Sequence, residues 1–195
     1  MRNKLNHTNR IIAEGYQPTE DDLFYSYAPT IGLDGHMIRL GKVKYDLLEL
    51  PGHRIFRRKW SDYFRFTTVV VFLIDLSELC NSAFYTGHLK NKTISVYEQV
   101  VQHDLLSRSG FILLFNKKDV FDDMACGFDF KKWSTNLRSG QDALSSYRML
   151  FLSASPPKRS YTHVVSLLNA PKLGFTLADS LQRIFKYNSQ NAIIS

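Results

Sequence analysis

Regular hydrophobic patterning begins only after residue 35 of the chain. The preceding residues are polar and mixed, and prolines and glycines interrupt them, among them Gly15, Pro18, Pro29 and Gly32. From His36 to Leu50, apolar and polar positions alternate on both sides of Gly41. This period of two predicts a β-hairpin that turns at Leu40–Lys42.

Three short apolar runs follow the hairpin, at Val69–Ile74, Phe111–Phe115 and Met149–Leu152. Runs of this length are typical of strands that are buried on both faces of a parallel sheet. Elsewhere, apolar residues recur every three or four positions, as in an amphipathic helix. These positions are Ile94, Tyr97, Val101 and Leu105, and, near the C-terminus, Leu177, Leu181, Ile184 and Phe185.

Buried strands that alternate with amphipathic helices predict an α/β fold, with a mostly parallel sheet and helices on both of its faces. The length of 195 residues fits a single domain. Ligands of such sheets bind at the carboxyl ends of the strands. Candidate chemistry is therefore expected in the loops that follow Leu50, Leu76, Phe115 and Leu152.

The chain is basic, with 25 Lys and Arg against 18 Asp and Glu and a formal net charge of +7. A basic balance suits nucleic acid, an acidic membrane surface or an acidic partner. The charges are spread along the chain apart from a dense spot at Arg54–Lys59, without zinc-finger spacing or an aromatic RNA-binding motif. Nucleic-acid binding rests on net charge alone and is not expected.

Two cysteines, Cys80 and Cys126, are too few for a disulfide framework, and the N-terminal residues lack the apolar segment of a secretory signal. No apolar run reaches the roughly 18 residues that a membrane span needs. These features predict a reduced, cytoplasmic protein. Attachment to the inner face of the plasma membrane would then need a partner or the basic surface.

The most specific chemical motif is Asn116-Lys117-Lys118-Asp119, directly after the predicted strand Phe111–Phe115. An Asp carboxylate can accept hydrogen bonds from the N1–H and the N2 amine of guanine. An Asn amide can bond the other edge of the base and tie the loop, and a Lys stem can lie flat on the base. Alone, these four residues are a weak pattern, because they also suit a solvated turn, and their position at a strand end strengthens the prediction of a nucleotide site.

Two weaker segments follow other predicted strands. Ser153-Ala154 comes after Met149–Leu152, where a backbone N–H can bond guanine O6 and a small side chain lets the base approach. In Glu49–Arg54, Gly52 permits a backbone N–H to approach a terminal phosphate, and His53 can orient a water. Taken alone, Ser153-Ala154 is uninformative and a Pro-Gly turn with a surface histidine explains Glu49–Arg54 more simply.

Five blocks, in order and spacing, resemble the C-terminal half of the GTPase domain of a heterotrimeric G-protein alpha subunit. The block Ile112–Phe121 (ILLFNKKDVF) closely matches the family's I-L-F-L-N-K-[KQ]-D-[LI]-[FL]. The other blocks are Tyr16–Leu23 with Thr30–Leu33 (switch I), Leu50–Gly52 with Arg57–Trp60 (switch II), the strand Val69–Glu78, and the terminal helix Phe175–Asn188.

The resemblance implies an incomplete Ras-like GTPase fold, with a mostly parallel sheet, one antiparallel hairpin and helices on both faces. Residues 1–35 would be the end of the family's helical insert together with switch I, and residues 36–195 a partial GTPase-like domain. The implied function is signalling, with binding of GTP or GDP and Mg²⁺. The implied protein partners are a beta-gamma dimer and, through the C-terminal helix, a G-protein-coupled receptor.

The resemblance also implies roles for individual residues. The family's guanine-binding positions fall on Asn116, Lys117, Asp119 and Ala154. Thr30 aligns with the threonine that ligates Mg²⁺, and Gly52 with the glycine whose N–H contacts the γ-phosphate. His53 stands where the family has the glutamine that positions the attacking water.

Several positions depart from the family pattern. The 195 residues contain no G-x-x-x-x-G-K-[ST] phosphate loop, and Gly35–Val43 imitates it with one residue too many and a valine in place of the hydroxyl. The family's catalytic arginine, three residues before Thr30, is Tyr27, and such an arginine contributes on the order of 10³–10⁵ in rate. Pro51 replaces a glycine of switch II, and Glu49 replaces its aspartate. These changes argue against GTP hydrolysis by this chain.

Two other interpretations stay open. A non-catalytic interaction module would keep the surface Arg57–Trp60 and the terminal helix while losing nucleotide chemistry. A truncated gene product would lack nucleotide binding because its N-terminal half lies elsewhere. If nucleotide binds, base contacts of about 1 kcal/mol each predict an affinity no tighter than roughly millimolar to tens of micromolar.

Overall fold

The computed structural model describes residues 10–24, 29–81, 88–169 and 173–192. The chain divides into two compact units. The first unit takes its described residues from Met1–Ile38 and Tyr45–Arg57, and the second from Arg39–Lys44 and Arg58–Ser195. The predicted domain boundary after residue 35 stays a prediction.

The N-terminal part of the chain contains a short helix, α1 (Glu20–Phe24), and a β-hairpin. The strands β1 (Asp34–Leu40) and β2 (Val43–Glu49) form a two-stranded antiparallel sheet. Gly41 between them has φ +63°, the left-handed conformation that a two-residue hairpin turn requires. The predicted hairpin is therefore confirmed.

Three parallel strands form the sheet of the second unit. They are β3 (Val69–Asp75), β4 (Gly110–Asn116) and β5 (Ser160–Val164), in the order β3-β4-β5. The register places Asp75 beside Asn116, the last residues of two neighbouring strands. The carboxyl ends of the strands therefore lie along one edge of the sheet.

Different helices cover the two faces of β4, whose first six residues are all buried. One face packs against α3 (His88–Val101) and α5 (Gly140–Ala154), and it contributes the core residues Phe111, Leu113 and Phe115. The other face packs against α6 (Leu173–Ala192), which also contacts β5. Helices therefore lie on both faces, and the predicted α/β class is confirmed.

Shorter elements connect these strands and helices. The helices α2 (Ser61–Phe64) and α4 (Lys118–Ala125) precede β3 and follow β4. Single 3₁₀ turns span Arg57–Lys59, Leu76–Cys80, Asp104–Leu106, Phe130–Lys132 and Leu167–Asn169. The predicted helical patterns coincide with α3 and α6, except that Leu105 lies in the turn after α3. None of the helices that the structure describes is both long and apolar enough to cross a membrane.

β3 is half buried, which differs from the predicted burial on both faces. Leu73 is 55% exposed, and Ile74 is the one fully buried residue of the strand. Among the described residues, β3 has a hydrogen-bonded neighbour, β4, on one side only. An apolar run does not distinguish such an edge strand from a central one, because both need apolar residues on the face that packs.

The predicted strand Met149–Leu152 is wrong, because these residues belong to α5. The Ser139 side chain caps that helix by accepting a hydrogen bond from the Asp142 N–H at 3.1 Å. The buried residues of the helix recur at helical spacing, at Ala143, Leu144, Tyr147 and Phe151. Short apolar runs suit helices as well as strands. The third strand of the sheet is β5, which begins after this helix has ended.

Candidate nucleotide-binding site

The motif Asn116–Asp119 makes a sharp turn at the carboxyl end of β4. Asn116 is the last residue of the strand, and α4 begins at Lys118. Between them, Lys117 has a left-handed backbone with φ 61° and ψ 39°, which is uncommon for residues other than glycine. Asp119 consequently lies in the first turn of α4. The motif therefore occupies the edge at which parallel sheets bind ligands.

The loop after β5 closes onto this motif through side-chain hydrogen bonds. The Leu167 N–H donates to Asn116 Oδ1 at 2.9 Å, and the Ser166 hydroxyl donates to Asp119 Oδ1 at 2.6 Å. Backbone hydrogen bonds at Val165 extend the contact. The structure thus joins Asn116 and Asp119 to residues about fifty positions further along the chain.

The Lys117 side chain is held on the β3 side of β4, opposite the loop that follows β5. Its ammonium group pairs with Asp75 at the end of β3, with the lysine side chain 50% and the aspartate side chain 30% exposed. Since β3 and β5 flank β4, Lys117 is fixed toward β3 and Asp119 toward the loop after β5. Two of the side chains predicted to contact guanine, Lys117 and Asp119, therefore diverge around the end of β4.

The Asp119 carboxylate can read a guanine base edge. Ser166 donates one hydrogen bond to Oδ1, whereas an ionised carboxylate offers about four lone-pair positions on two oxygens. Guanine presents its N1–H and its N2 amine side by side, and two carboxylate oxygens match that spacing. The contact with Ser166 therefore orients the carboxylate and leaves acceptor capacity for a base.

An open cleft of about 890 Å³ adjoins Asp75 and lies next to the motif rather than within it. Glu78, Phe128, Asp129 and Lys132 contribute to its lining. Burial raises the pKa of Glu78, and the nearby Asp75 raises it further. Within the described part of the chain, no group of three or more His, Cys, Asp or Glu residues is arranged to hold a metal.

The residues predicted to contact phosphate and metal lie in the first unit. The Thr30 hydroxyl donates a hydrogen bond to Glu49 Oε1 at 2.6 Å. The Gly52 carbonyl accepts one from Arg57 Nε at 2.9 Å, and His53 is exposed. The structure therefore brings Thr30 into contact with Glu49, whereas Asn116–Asp119 belongs to the second unit.

Thr30 and Glu49 fit the donor chemistry of Mg²⁺. This ion prefers oxygen ligands and is usually held by one or two carboxylates together with waters and phosphate oxygens. A hydroxyl and a carboxylate oxygen 2.6 Å apart supply two suitable oxygens at one place. Two protein oxygens suffice only for an ion that keeps several waters.

At two predicted positions, the structure provides no contact that supports the predicted role. Ala154 is the last residue of α5 and packs, partly buried, against the core. The strand on which its guanine-binding role depended does not exist, so that role stays a prediction. Tyr27, at the position of the family's catalytic arginine, lies outside the described residues.

Ser166 and Leu167 are the site residues that the sequence analysis missed. They follow Tyr161–Val165, a run of mainly β-branched and aromatic residues that comes soon after Pro156-Pro157. Such a composition after turn residues is typical of a strand. Had this run been chosen instead of Met149–Leu152, the loop opposite Asp119 would have been predicted correctly.

Comparison with known proteins decides the family. The family model described as "G-protein alpha subunit" matches residues 3–184, which include both Thr30–Glu49 and the motif Asn116–Asp119. The chain belongs to the G-protein alpha subunit family. The parallel sheet, the antiparallel hairpin and the helices accordingly form a partial Ras-like GTPase fold.

Curated relatives of this G-protein alpha family member are distant in sequence. The alpha-14 subunit of Caenorhabditis briggsae is 22% identical over 95% of this chain and 51% of its own length. The alpha-8 subunit of the same organism is 25% identical over 95% of this chain and 53% of its own length. A subunit alpha of Coprinellus congregatus is 29% identical over 60% of this chain and 34% of its own length. The chain thus spans about half the length of the first two relatives and about a third of the third.

Proposed function

We propose that this G-protein alpha family member binds guanine nucleotides through the carboxyl edge of its parallel sheet. The observation that carries the proposal is the closure of the loop after β5 on Asn116 and Asp119. In this arrangement Asp119 accepts hydrogen bonds from the N1–H and N2 amine of guanine. The Lys117 stem lies against the plane of the base, and Asn116 keeps the two loops together.

Phosphate binding is the weaker part of the proposed site. The 195 residues contain no G-x-x-x-x-G-K-[ST] sequence, whose backbone N–H groups cradle the phosphates in P-loop proteins. We propose Gly52 as the γ-phosphate contact, and Thr30 with Glu49 as the residues that hold Mg²⁺. When bound, Mg²⁺ neutralises charge on the phosphate oxygens. Base contacts of about 1 kcal/mol each then give an affinity no tighter than roughly millimolar to tens of micromolar.

Efficient GTP hydrolysis is not part of the proposal for this chain. By resemblance, His53 stands where the family has a glutamine that orients the attacking water, and a histidine can also orient a water. Tyr27 provides no positive charge for the developing charge on the transferred phosphoryl group, and an arginine there contributes on the order of 10³–10⁵ in rate. We therefore expect nucleotide binding without efficient turnover.

The proposed biological role is signal transduction in the cytoplasm, at the inner face of the plasma membrane through partners. The family implies a beta-gamma dimer and a G-protein-coupled receptor, which α6 would contact. Phe175 near the start of α6 is 82% exposed, so an apolar side chain is available there for a protein contact. The chain spans about half the length of these relatives, and both partners are proposed from the half that it matches.

A second candidate function is that of a non-catalytic interaction module. It is favoured by the polar groups of the motif having partners within the chain. Asp119 bonds Ser166, Lys117 pairs with Asp75, and Asn116 accepts from the Leu167 N–H. Because a loop satisfied in this way needs no ligand to be stable, the same geometry suits a family member that uses its surface alone.

Calorimetric titration separates the two functions. The folded chain is titrated with GDP and, as a base control, with ADP, each with and without Mg²⁺. We expect GDP to bind with a dissociation constant no weaker than about 1 mM, and the Asp119→Asn variant to lose about tenfold in affinity because a charged acceptor is removed. Asp123→Asn is the matched control, since Asp123 is exposed on the same helix.

The titration has a clear contrary outcome. The guanine site does not exist if the folded chain binds GDP and ADP equally. It does not exist either if neither nucleotide binds at a concentration several times the expected dissociation constant. The interaction module is then the better account of the chain.

A further inference from the structure

Asp75 uses its two carboxylate oxygens for different contacts. Oδ1 accepts hydrogen bonds from the Ser77 N–H at 2.9 Å and from the Ser77 hydroxyl at 2.6 Å, which cap the 3₁₀ turn Leu76–Cys80. Oδ2 pairs with Lys117 Nζ. Because the turn fixes the carboxylate independently of the lysine, the ammonium group of Lys117 meets a partner of defined position.

The register of the sheet determines where the lysine lies. Asp75 and Asn116 are neighbours on β3 and β4, and Lys117 follows Asn116 directly. The Lys117 stem therefore runs from the end of β4 to the end of β3. Asp119 is bonded to the loop after β5, which lies on the other side of β4.

We propose that Asp75 is a positioning residue of the guanine site, holding Lys117 so that its stem forms one wall of the base site before nucleotide arrives. This inference rests on the proposed guanine binding. A free lysine side chain has many rotamers, and ordering them on binding costs affinity. Asp75 removes part of that cost, because the lysine is already ordered in the unliganded chain.

The expected effect is modest, because both partners are partly exposed to solvent. An ion pair of this kind changes an equilibrium by about threefold to fivefold. The same ion pair should also slow chemical modification of the lysine, because the Asp75 carboxylate lies against the amino group that a reagent must reach.

Competitive acetylation of the unliganded chain tests the ion pair without using nucleotide. Brief treatment with acetic anhydride is followed by peptide mass spectrometry that separates Lys117 from Lys118. In the Asp75→Asn variant, we expect Lys117 to be acetylated about threefold to fivefold faster. Asparagine keeps one side-chain oxygen for the hydrogen bonds from Ser77, so the 3₁₀ turn is retained.

The chain supplies a matched control one residue further on. Lys118 pairs with Asp122 on α4, and both of these side chains are also partly exposed, at 36% and 54%. The Asp122→Asn variant should accelerate acetylation of Lys118 and leave Lys117 unchanged. Equal acetylation of Lys117 in the unmodified chain and in the Asp75→Asn variant would overturn the inference.

Titration of the same variants with GDP tests the link to the base. We expect Asp75→Asn to weaken GDP binding by about threefold to fivefold and Asp122→Asn to leave it unchanged. Faster acetylation of Lys117 with unaltered GDP affinity overturns the positioning role while leaving the guanine site intact. Failure of the unmodified chain to bind GDP overturns the proposed function, and the positioning role with it, whatever the acetylation shows.

Discussion

Gly110 begins β4 at a position where no side chain fits. A Cβ there would lie 2.4 Å from Cγ2 and 2.8 Å from Cδ1 of Ile184, and contacts below 3.0 Å require one group to move. Ile184 is itself fully buried in α6. The absence of a side chain at one residue therefore sets how closely α6 approaches the sheet.

Gly110→Ala should lower the free energy of unfolding by about 1–3 kcal/mol, because the added methyl group overpacks the contact between β4 and α6. Urea unfolding followed by circular dichroism measures the change. Gly174→Ala is the control, since a Cβ at Gly174 meets nothing within 4 Å. Combining Gly110→Ala with Ile184→Ala, which removes all three clashing atoms of the isoleucine, should cost less than the sum of the two single changes, and strict additivity would contradict the proposed clash.

The residues of the candidate site differ in how well the sequence predicts them. Asn116, Lys117 and Asp119 are contiguous and follow a strongly apolar run, so their pattern and position can be read locally. Ser166 and Leu167 contact them from positions 47 and 51 residues away. Such contacts can be predicted only after the run Tyr161–Val165 has been recognised as a sign of the strand that pairs with β4.

At the scale of elements, a partly buried hydrogen bond joins β5 to α6. His163 Nε2 and Ser180 Oγ lie 2.7 Å apart, and Ser180 is almost completely buried. Burial lowers the pKa of His163, Asp179 opposes this shift, and Arg148 adds to it. Since β5 leads directly into the loop that contacts Asp119, this link also supports the candidate site.

Stability should decrease in acid because of His163. At a pH below 6.5, the ordinary pKa of histidine, His163 takes up a proton in the unfolded chain but resists protonation in the folded chain. Unfolding is therefore favoured increasingly as the pH falls through 6.5 toward the lower pKa of the folded state. Urea unfolding at pH 7.5 and pH 5.5 tests this. His163→Gln retains a polar side chain without titrating, so it should reduce the difference between the two pH values.

The control for this experiment is His36→Gln, because His36 is exposed on β1. It should leave the pH dependence as it is in the unmodified chain. If His163→Gln and His36→Gln have the same effect, the acid sensitivity does not arise from the contact between β5 and α6.

The elements themselves were predictable where local patterns were unambiguous. The hairpin has a clear period of two around a glycine turn, and β4 carries an apolar run between polar residues. Met149–Leu152 is only four residues long, and its apolar character serves a helix capped by Ser139. The half-exposed state of β3 depends on which strands surround it, and the segment Val69–Asp75 does not contain that information.

At the scale of the whole molecule, the described structure has two separate sheets in a chain of two compact units. The motif Asn116–Asp119 belongs to the second unit, whereas Thr30, Glu49 and Gly52 belong to the first. The assignment to the family is supported by most of the chain, since the family match runs from residue 3 to residue 184. Recognition of a guanine base by the second unit is the central hypothesis of the proposed function.

A paired change of the base and of Asp119, the residue proposed to recognise it, tests this hypothesis most directly. Xanthine has a carbonyl group where guanine has its N2 amine, so the Asp119 carboxylate should repel it, whereas an asparagine amide can donate to it. Titrations of the unmodified chain and of Asp119→Asn with GDP and xanthosine diphosphate give four affinities. We predict that the unmodified chain prefers GDP and that Asp119→Asn prefers xanthosine diphosphate, each by about tenfold. The same preference in both proteins, or no binding of either nucleotide by the folded chain, would contradict the account.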